Sequence, residues 1–249
     1  EGRFYKVTPL IVEAPVLPLL SQPVHDVASV LFGSVTAVEY LHQRAIVHGD
    51  IKPENILMSR DADGDLDAHL IDLDEGYVAG YAPSREDIVG TIGYYSPELG
   101  DYVSGRAEGS VLTTASDMFS LALTLVEMLT GRVPGFDRNR YRTAAHALGN
   151  GEVLDMTACG ESLGELLGTM LVLDPKARPS APEVLDRIGN LDLERLLEGA
   201  IDPSEGSTSD GGDDDEENEA ADVGDAEALP DDGSGLIINL GRPKNPENS

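Results

Sequence analysis

Ile46 to Met58 reads I-V-H-G-D-I-K-P-E-N-I-L-M. An Asp is followed by a Lys two residues on and an Asn five residues on, with apolar runs on both sides. These side chains at this spacing suit a loop that moves a phosphoryl group. Asp50 can accept the proton of an incoming hydroxyl, Lys52 can neutralise a phosphate oxygen, and the amide oxygen of Asn55 can ligate a metal ion. The plainer reading is a polar turn between two short strands, which such a loop would also be.

Two more segments follow in order. Ala68 to Gly76 reads A-H-L-I-D-L-D-E-G, an apolar strand that ends in Asp72. Gly90 to Glu98 reads G-T-I-G-Y-Y-S-P-E. Together the three segments resemble the large lobe of eukaryotic-type Ser/Thr protein kinases. The first falls on the catalytic-loop motif H-R-D-x-K-x-x-N, the second on D-F-G, and Ser96-Pro97-Glu98 on A-P-E. Ser116 to Gly131, apolar almost all round, resembles the buried central helix of that lobe. Its Asp117 takes the place of the Asp that holds the catalytic-loop backbone. Arg178 matches the Arg that pairs with the A-P-E Glu, here Glu98.

The resemblance implies a mainly α, α+β fold, with a short strand or two from the small lobe. It also implies a function, transfer of the ATP γ-phosphoryl group to a protein hydroxyl. In that reading Asp50 is the base, Lys52 steadies the transferred group, and Thr91 hydrogen-bonds both. Asn55 and Asp72 hold Mg²⁺. The Lys52 and Thr91 pair favours Ser or Thr over Tyr as acceptor. Phe4 to Glu13 resembles the last small-lobe strand running into the hinge, with Val12 as gatekeeper. Glu13, Pro15 and Leu57 are then the nucleotide-binding residues beside Lys52, Asn55 and Asp72. Pro15 has no N–H to offer adenine.

Several positions depart from the pattern. Leu73 stands for Phe and Asp74 for Gly in D-F-G. Gly49 replaces the Arg of H-R-D. In kinases that keep it, that Arg pairs with a phosphate on the activation segment, so electrostatic ordering by phosphorylation should matter less here. The Gly-rich loop and the strand Lys that grip the phosphates are not in the sequence, and Lys6 lies too near the hinge to replace the latter. The chain therefore reads as a fragment of a longer kinase, expected to be inactive alone. The rival reading is a pseudokinase or scaffold that lacks catalysis; the intact Asp50, Lys52, Asn55 and Asp72 weigh against it.

These residues need elements to position them. Val27, Val30, Leu31, Val35, Val38 and Leu41 recur at helical spacing, which predicts a helix over Val24 to Gln43 beneath the loop. Helices are also predicted over Glu161 to Leu173 and Ala181 to Leu197. Asp61 to Asp67 is a polar turn. It resembles an EF-hand opening but carries Leu66 where Gly is required. His48 reads as a packing residue behind Asp72. His25, His42, His69 and His146 have no Cys or carboxylate at ligand spacing, so no metal-binding His cluster is expected.

Composition divides the chain at about residue 200, with the kinase-like domain before it and a low-complexity acidic tail over 201–249. The whole chain has a net charge of −29, and residues 1–200 hold 31 acids against 15 Lys and Arg. Such a surface disfavours nucleic acid and anionic membranes as partners, and the kinase resemblance implies a protein substrate. The single Cys159 excludes a disulfide framework and, with ATP chemistry, points to a cytoplasmic, reducing setting. No apolar run is long enough to span a bilayer. The tail holds 15 acids and 2 bases, too little apolar area to offset chain entropy, so it is expected to be disordered. Its expected roles are solubility and selection of basic protein partners. Leu236-Ile237-Ile238 is read as a stray apolar run. Deleting residues 201–249 should shift the thermal midpoint by no more than about a few degrees. A larger loss in a calorimetric scan would place the tail within the folded domain.

Overall fold

The computed structural model describes residues 11–14, 17–61, 64–190 and 199–200. Helix α1 spans Val24–His42 and leads into strand β1 (Ile46–Val47). Strands β2 (Ile56–Arg60) and β3 (Leu66–Leu70) form an antiparallel hairpin, and β4 (Tyr77–Val78) returns to pair with β1. Five helices follow: α2 (Pro97–Val103), α3 (Thr114–Thr130), α4 (Ala144–Gly149), α5 (Glu161–Met170) and α6 (Ala181–Asn190). The fold is mainly helical with little sheet, as expected.

The apolar stripe of α1 explains its placement. Val27, Val30, Leu31, Val35 and Val38 are all fully buried, and they pack against β3, α3 and α6. Gly33 lets the helix approach the hairpin closely. A Cβ there would meet the Ala68 Cβ at 3.4 Å. Asp26, on the first turn of α1, is buried and accepts from Arg60 Nη2 at 3.1 Å and from Leu66 N–H at 3.3 Å. Burial pushes the Asp26 carboxyl up, but the Arg60 hydrogen bond and charge outweigh it and hold it below its ordinary value. This clamp fixes the hairpin whose first strand, β2, begins where the 48–55 loop ends. The predicted polar turn at 61–67 lies where the two strands of the hairpin connect, but its last two residues, Leu66 and Asp67, belong to β3, and Leu66 is fully buried.

Helix α3 is the centre of the main core. Thr113 caps its N-terminus and Gly131, in the left-handed region, ends it. Met118, Phe119, Leu121, Ala122, Leu123, Leu125, Met128 and Leu129 are all buried. The helix begins two residues before the predicted start. Helix α5 stops at Met170 rather than Leu173, and α6 is described only as far as Asn190. Cys159 lies in the core, where burial pushes its thiol up to about 11, so it is not a thiolate at neutral pH. Among the described residues no helix is long and apolar enough to cross a membrane.

A second, smaller apolar cluster joins Leu99 and Tyr102 of α2 to Leu112, with Tyr77, Ala82, Ile88 and Tyr95 packed against it. Between the two cores runs the expected ion pair. Arg178 Nη1 and Nη2 donate to Glu98 Oε1 and Oε2 at 2.6 and 2.8 Å. The same guanidinium also donates to the carbonyls of Val172, Ala115 and Leu173 and stacks on Phe119. A planar fork with this many acceptors is a task for Arg and not Lys.

The expected small-lobe strand over Phe4 to Glu13 lies mostly outside the described residues, and so does Lys6. The described end of that stretch, 11–13, carries no strand. The tail from Ile201 also lies outside them, and so does the Leu236-Ile237-Ile238 run. Arg178→Ala should lower unfolding free energy by about 3–5 kcal/mol, because it strands a buried carboxylate. Denaturant melts check this, and an unchanged midpoint would show that the pair contributes nothing.

Candidate active site

The loop after β1 is held from behind by α3. Asp117 accepts the N–H of His48 at 2.8 Å and of Gly49 at 3.1 Å. Its Oδ2 also meets His42 Nε2 at 2.9 Å. The partner of His42 is 75 residues away in sequence, so ligand-spacing rules could not find it. His48 is fully buried and its Nε2 lies 2.9 Å from the Ile71 carbonyl. A carbonyl only accepts, so Nε2 carries the proton and Nδ1 accepts from Asp50 N–H at 3.3 Å. His48 is thus a packing and bridging residue, joining the loop to the strand end that carries Asp72.

Gly49 is required by this backbone. Its φ is +83°, and a Cβ would sit 2.9 Å from the Glu75 carbonyl oxygen and 3.2 Å from the Tyr77 ring. The residues that follow converge. Lys52 Nζ lies 2.7 Å from Asp50 Oδ2 and donates to Thr91 Oγ1 at 3.1 Å. Thr91 N–H donates to Asp50 Oδ1 at 3.0 Å. Asn55 Nδ2 donates to the Asp50 carbonyl at 2.7 Å and reaches Asp50 Oδ2 at 3.3 Å. Sequence positions 50, 52, 55 and 91 are therefore one cluster.

The Asp50 hydrogen bond holds the Lys52 ammonium above its ordinary value of 10.5; burial opposes this, and the charges of Asp50, Glu54 and Asp72 add to it. The stability this pair contributes is fully present below that ordinary value and is lost only as pH rises beyond it.

Asp72 follows Ile71, whose N–H donates to the Asn55 carbonyl at 2.9 Å. Its own backbone is left-handed, with φ 62° and ψ 66°. For a residue other than Gly this is strained, and such strain clusters at functional sites. Leu73 to Glu75 form a 3₁₀ turn, with Leu73 and Asp74 exposed. Leu57 is half-buried on β2 and pairs with His69. Glu13 is exposed, and Pro15 lies outside the described residues. Val12 is 78% exposed, so nothing described packs around it as around a gatekeeper. Ala14 ties this end to the hairpin, its N–H donating to Met58 O at 2.7 Å. Among the described residues no group of three or more His, Cys, Asp or Glu is placed to hold a metal. The candidate metal ligands are one carboxylate and one amide oxygen.

Sequence reading missed how α3 grips everything around the site. A polar stripe runs along the helix that pattern made apolar. Ser116 Oγ meets Ser96 Oγ at 2.6 Å, Ser120 Oγ donates to Tyr94 O at 2.8 Å, and Thr124 Oγ1 lies 3.3 Å from Ile51 O. Tyr94 donates its hydroxyl to Glu127, and burial together with that carboxylate holds the phenol neutral. The i, i+4 recurrence of Ser116, Ser120 and Thr124 was the available signal. A cavity of about 740 Å³ opens beside the end of this segment, lined by Ile92, Tyr95, Pro97, Arg106 and His146 among others.

With this arrangement in view, comparison with known proteins is direct. The family model of the protein kinase domain matches residues 20–187. The chain belongs to the protein kinase family. It is 31% identical over 163 residues to a calcium and calcium/calmodulin-dependent serine/threonine-protein kinase of Pisum sativum, covering 64% of this chain and 29% of that protein. It is 31% identical over 150 residues to serine/threonine-protein kinase PDK1 of Cryptococcus neoformans, covering 59% and 12%. An Aurora/IPL1-related protein kinase 2 of Caenorhabditis briggsae is 31% identical over 152 residues, covering 60% and 45%. The chain thus spans less than half the length of each of these relatives.

Gly49→Ala should destabilise the fold by about 1–2 kcal/mol from backbone strain alone. Chemical denaturation reads this, and an unchanged stability would mean that the loop relaxes freely. Because Lys52 is held protonated, the pH profile of folding stability should show no Lys52 ionisation between about pH 6 and 9. A loss of stability within that window that Lys52→Met abolishes would contradict the pairing.

Proposed function

We propose that this chain carries the phosphoryl-transfer site of a Ser/Thr protein kinase, with residues 1–200 as its domain and 201–249 as an acidic tail. The observation that carries the reading is the lock among Asp50, Lys52 and Thr91. One carboxylate oxygen is held by the Thr91 N–H, and the other by the Lys52 ammonium. A carboxylate fixed in this way can orient a hydroxyl and receive its proton.

Family membership supports ATP as the donor. The acceptor oxygen attacks the γ-phosphorus, and its proton passes to Asp50. The bond from that phosphorus to the β–γ bridging oxygen breaks, and ADP departs. Lys52 sits where it can offset charge on the transferred group. The Asn55 amide nitrogen is committed to the Asp50 carbonyl, which leaves Oδ1 as the atom available to a cation. That oxygen and the Asp72 carboxylate are hard donors of the kind Mg²⁺ takes. Magnesium held there would neutralise phosphate charge. Leu57, Glu13 and Pro15 complete the nucleotide-binding set by resemblance. The contact from Thr91 to both Asp50 and Lys52 supports a Ser or Thr acceptor. The cavity beside Ile92 and Tyr95 is where we place the acceptor polypeptide.

In the full-length protein, Asp50→Asn should cut turnover by about 10²–10⁴-fold with little change in stability. The amide keeps the shape but cannot take the proton. Radiolabelled phosphate transfer from Mg²⁺-ATP measures this, and a near-wild-type rate would remove Asp50 as the base.

A further inference from the structure

Residues 132–142 lie between α3 and α4 and hold four Arg against one Asp, a local balance of +3 in a chain of net charge −29. Elsewhere among the described residues the Arg side chains are committed. Arg44, Arg60, Arg85, Arg106, Arg178 and Arg187 each donate to a protein acceptor. The side chains of Arg132, Arg138, Arg140 and Arg142 donate to none, and all four residues are exposed.

The loop that presents them is pinned along its length. Gly135 and Asp155 exchange backbone hydrogen bonds at 2.8 and 3.1 Å. Asp137 Oδ1 accepts the Asn139 N–H at 3.0 Å, and the Asp137 N–H donates to Glu152 Oε1 at 2.7 Å. These acids are thus turned to backbone donors and not to the guanidinium groups. Tyr141 is buried, with its ring edge-on to His146. The Arg138 guanidinium sits 4.9 Å from the centre of the Phe136 ring, and that of Arg140 5.2 Å from the centre of Tyr141. A guanidinium resting on a ring keeps the N–H donors of its edge available to a carboxylate fork. A hollow of about 230 Å³ opens into the loop, lined by Thr130, Arg132, Arg138, Asp155 and Cys159 among others. Asp155 Oδ1 is already taken by the Thr157 N–H and hydroxyl, at 3.0 and 2.7 Å.

We propose that the 132–142 loop is a docking surface for an acidic segment of a partner polypeptide. One Asp or Glu side chain enters the hollow at Arg132 and Arg138, and further ones meet Arg140 and Arg142. This docking does not depend on the phosphoryl-transfer reading. Charge complementarity sets the occupant. A nucleic acid or an anionic bilayer would bring dense charge against the rest of the domain as well, where residues 1–200 hold 31 acids against 15 Lys and Arg. A short acidic stretch meets the loop alone, because exposed charges more than about 10 Å apart are largely screened.

Fluorescence anisotropy of a labelled octaglutamate peptide, titrated with the 249-residue chain, tests it. Binding should saturate and should weaken about tenfold or more as NaCl rises from about 50 to about 300 mM. Arg138→Glu with Arg140→Glu should weaken it about tenfold or more at low salt, and Arg140→Gln with Arg142→Gln about threefold. Neither pair should move the thermal midpoint by more than about a few degrees, because these side chains hold no other part of the fold. Lys176→Glu with Arg187→Glu reverses as much charge on exposed residues outside the loop and should leave binding within about twofold. No binding by wild type, or equal losses for the two charge-reversed pairs, overturns the proposal. Tighter binding of a thymidine oligonucleotide or of phosphatidylserine vesicles also overturns it and makes the occupant a polyanion of another class. Peptide binding that appears only once residues 201–249 are deleted overturns it as well and assigns the loop to this chain's own acidic run.

Discussion

The structure depends first on a carboxylate placed inside the protein. Asp117 is buried on the first turn of α3, where an unpaired charge would be prohibitive. It is tolerated because two backbone N–H groups and an imidazole nitrogen converge on it. The donors are satisfied in the same act. The N–H groups of His48 and Gly49 sit where the chain turns too sharply for strand pairing to use them. Remove the carboxylate and one buried donor, one half-buried donor and the position of Asp50 are all left without support.

Around that point α3 works as a ruler. Its apolar faces bury in the main core and fix its height. Its polar stripe then sets other pieces of chain at one-turn intervals: Ser96 against Ser116, Tyr94 against Ser120, Ile51 against Thr124. The 48–55 loop and the 90–98 segment are therefore each indexed to one rigid object. The Asp50 to Thr91 contact closes between two pieces that were placed separately, which is why residues 41 positions apart meet at 3.0 Å. The Arg178–Glu98 pair secures the same frame from the far side.

Much of this was legible in the sequence. Asp50, Lys52 and Asn55 could be singled out by residue type and spacing and Thr91 by family resemblance, and their contacts with one another are what the structure adds. Helix α1 followed from its stripe, and the buried Arg178–Glu98 pair from family resemblance. What was not legible has a physical cause. The short helices α2 and α4, of seven and six residues, are too brief for a period to show. The left-handed backbone of Asp72 and the Asp26–Arg60 and His42–Asp117 pairs arise only when distant segments meet. The gatekeeper role read for Val12 depended on neighbours that lie outside the described residues, and Val12 itself stands exposed.

The tight fit at Gly49 also bears on evolvability. An arginine at that position would need its first side-chain carbon where the Glu75 oxygen and the Tyr77 ring already stand. Both neighbours belong to the stretch that brings β4 onto β1. A single codon change would set the new side chain against that ladder before its charge could serve any purpose. A phosphate-sensing arginine is then reachable only through coupled changes, one at 49 and one that resets β4.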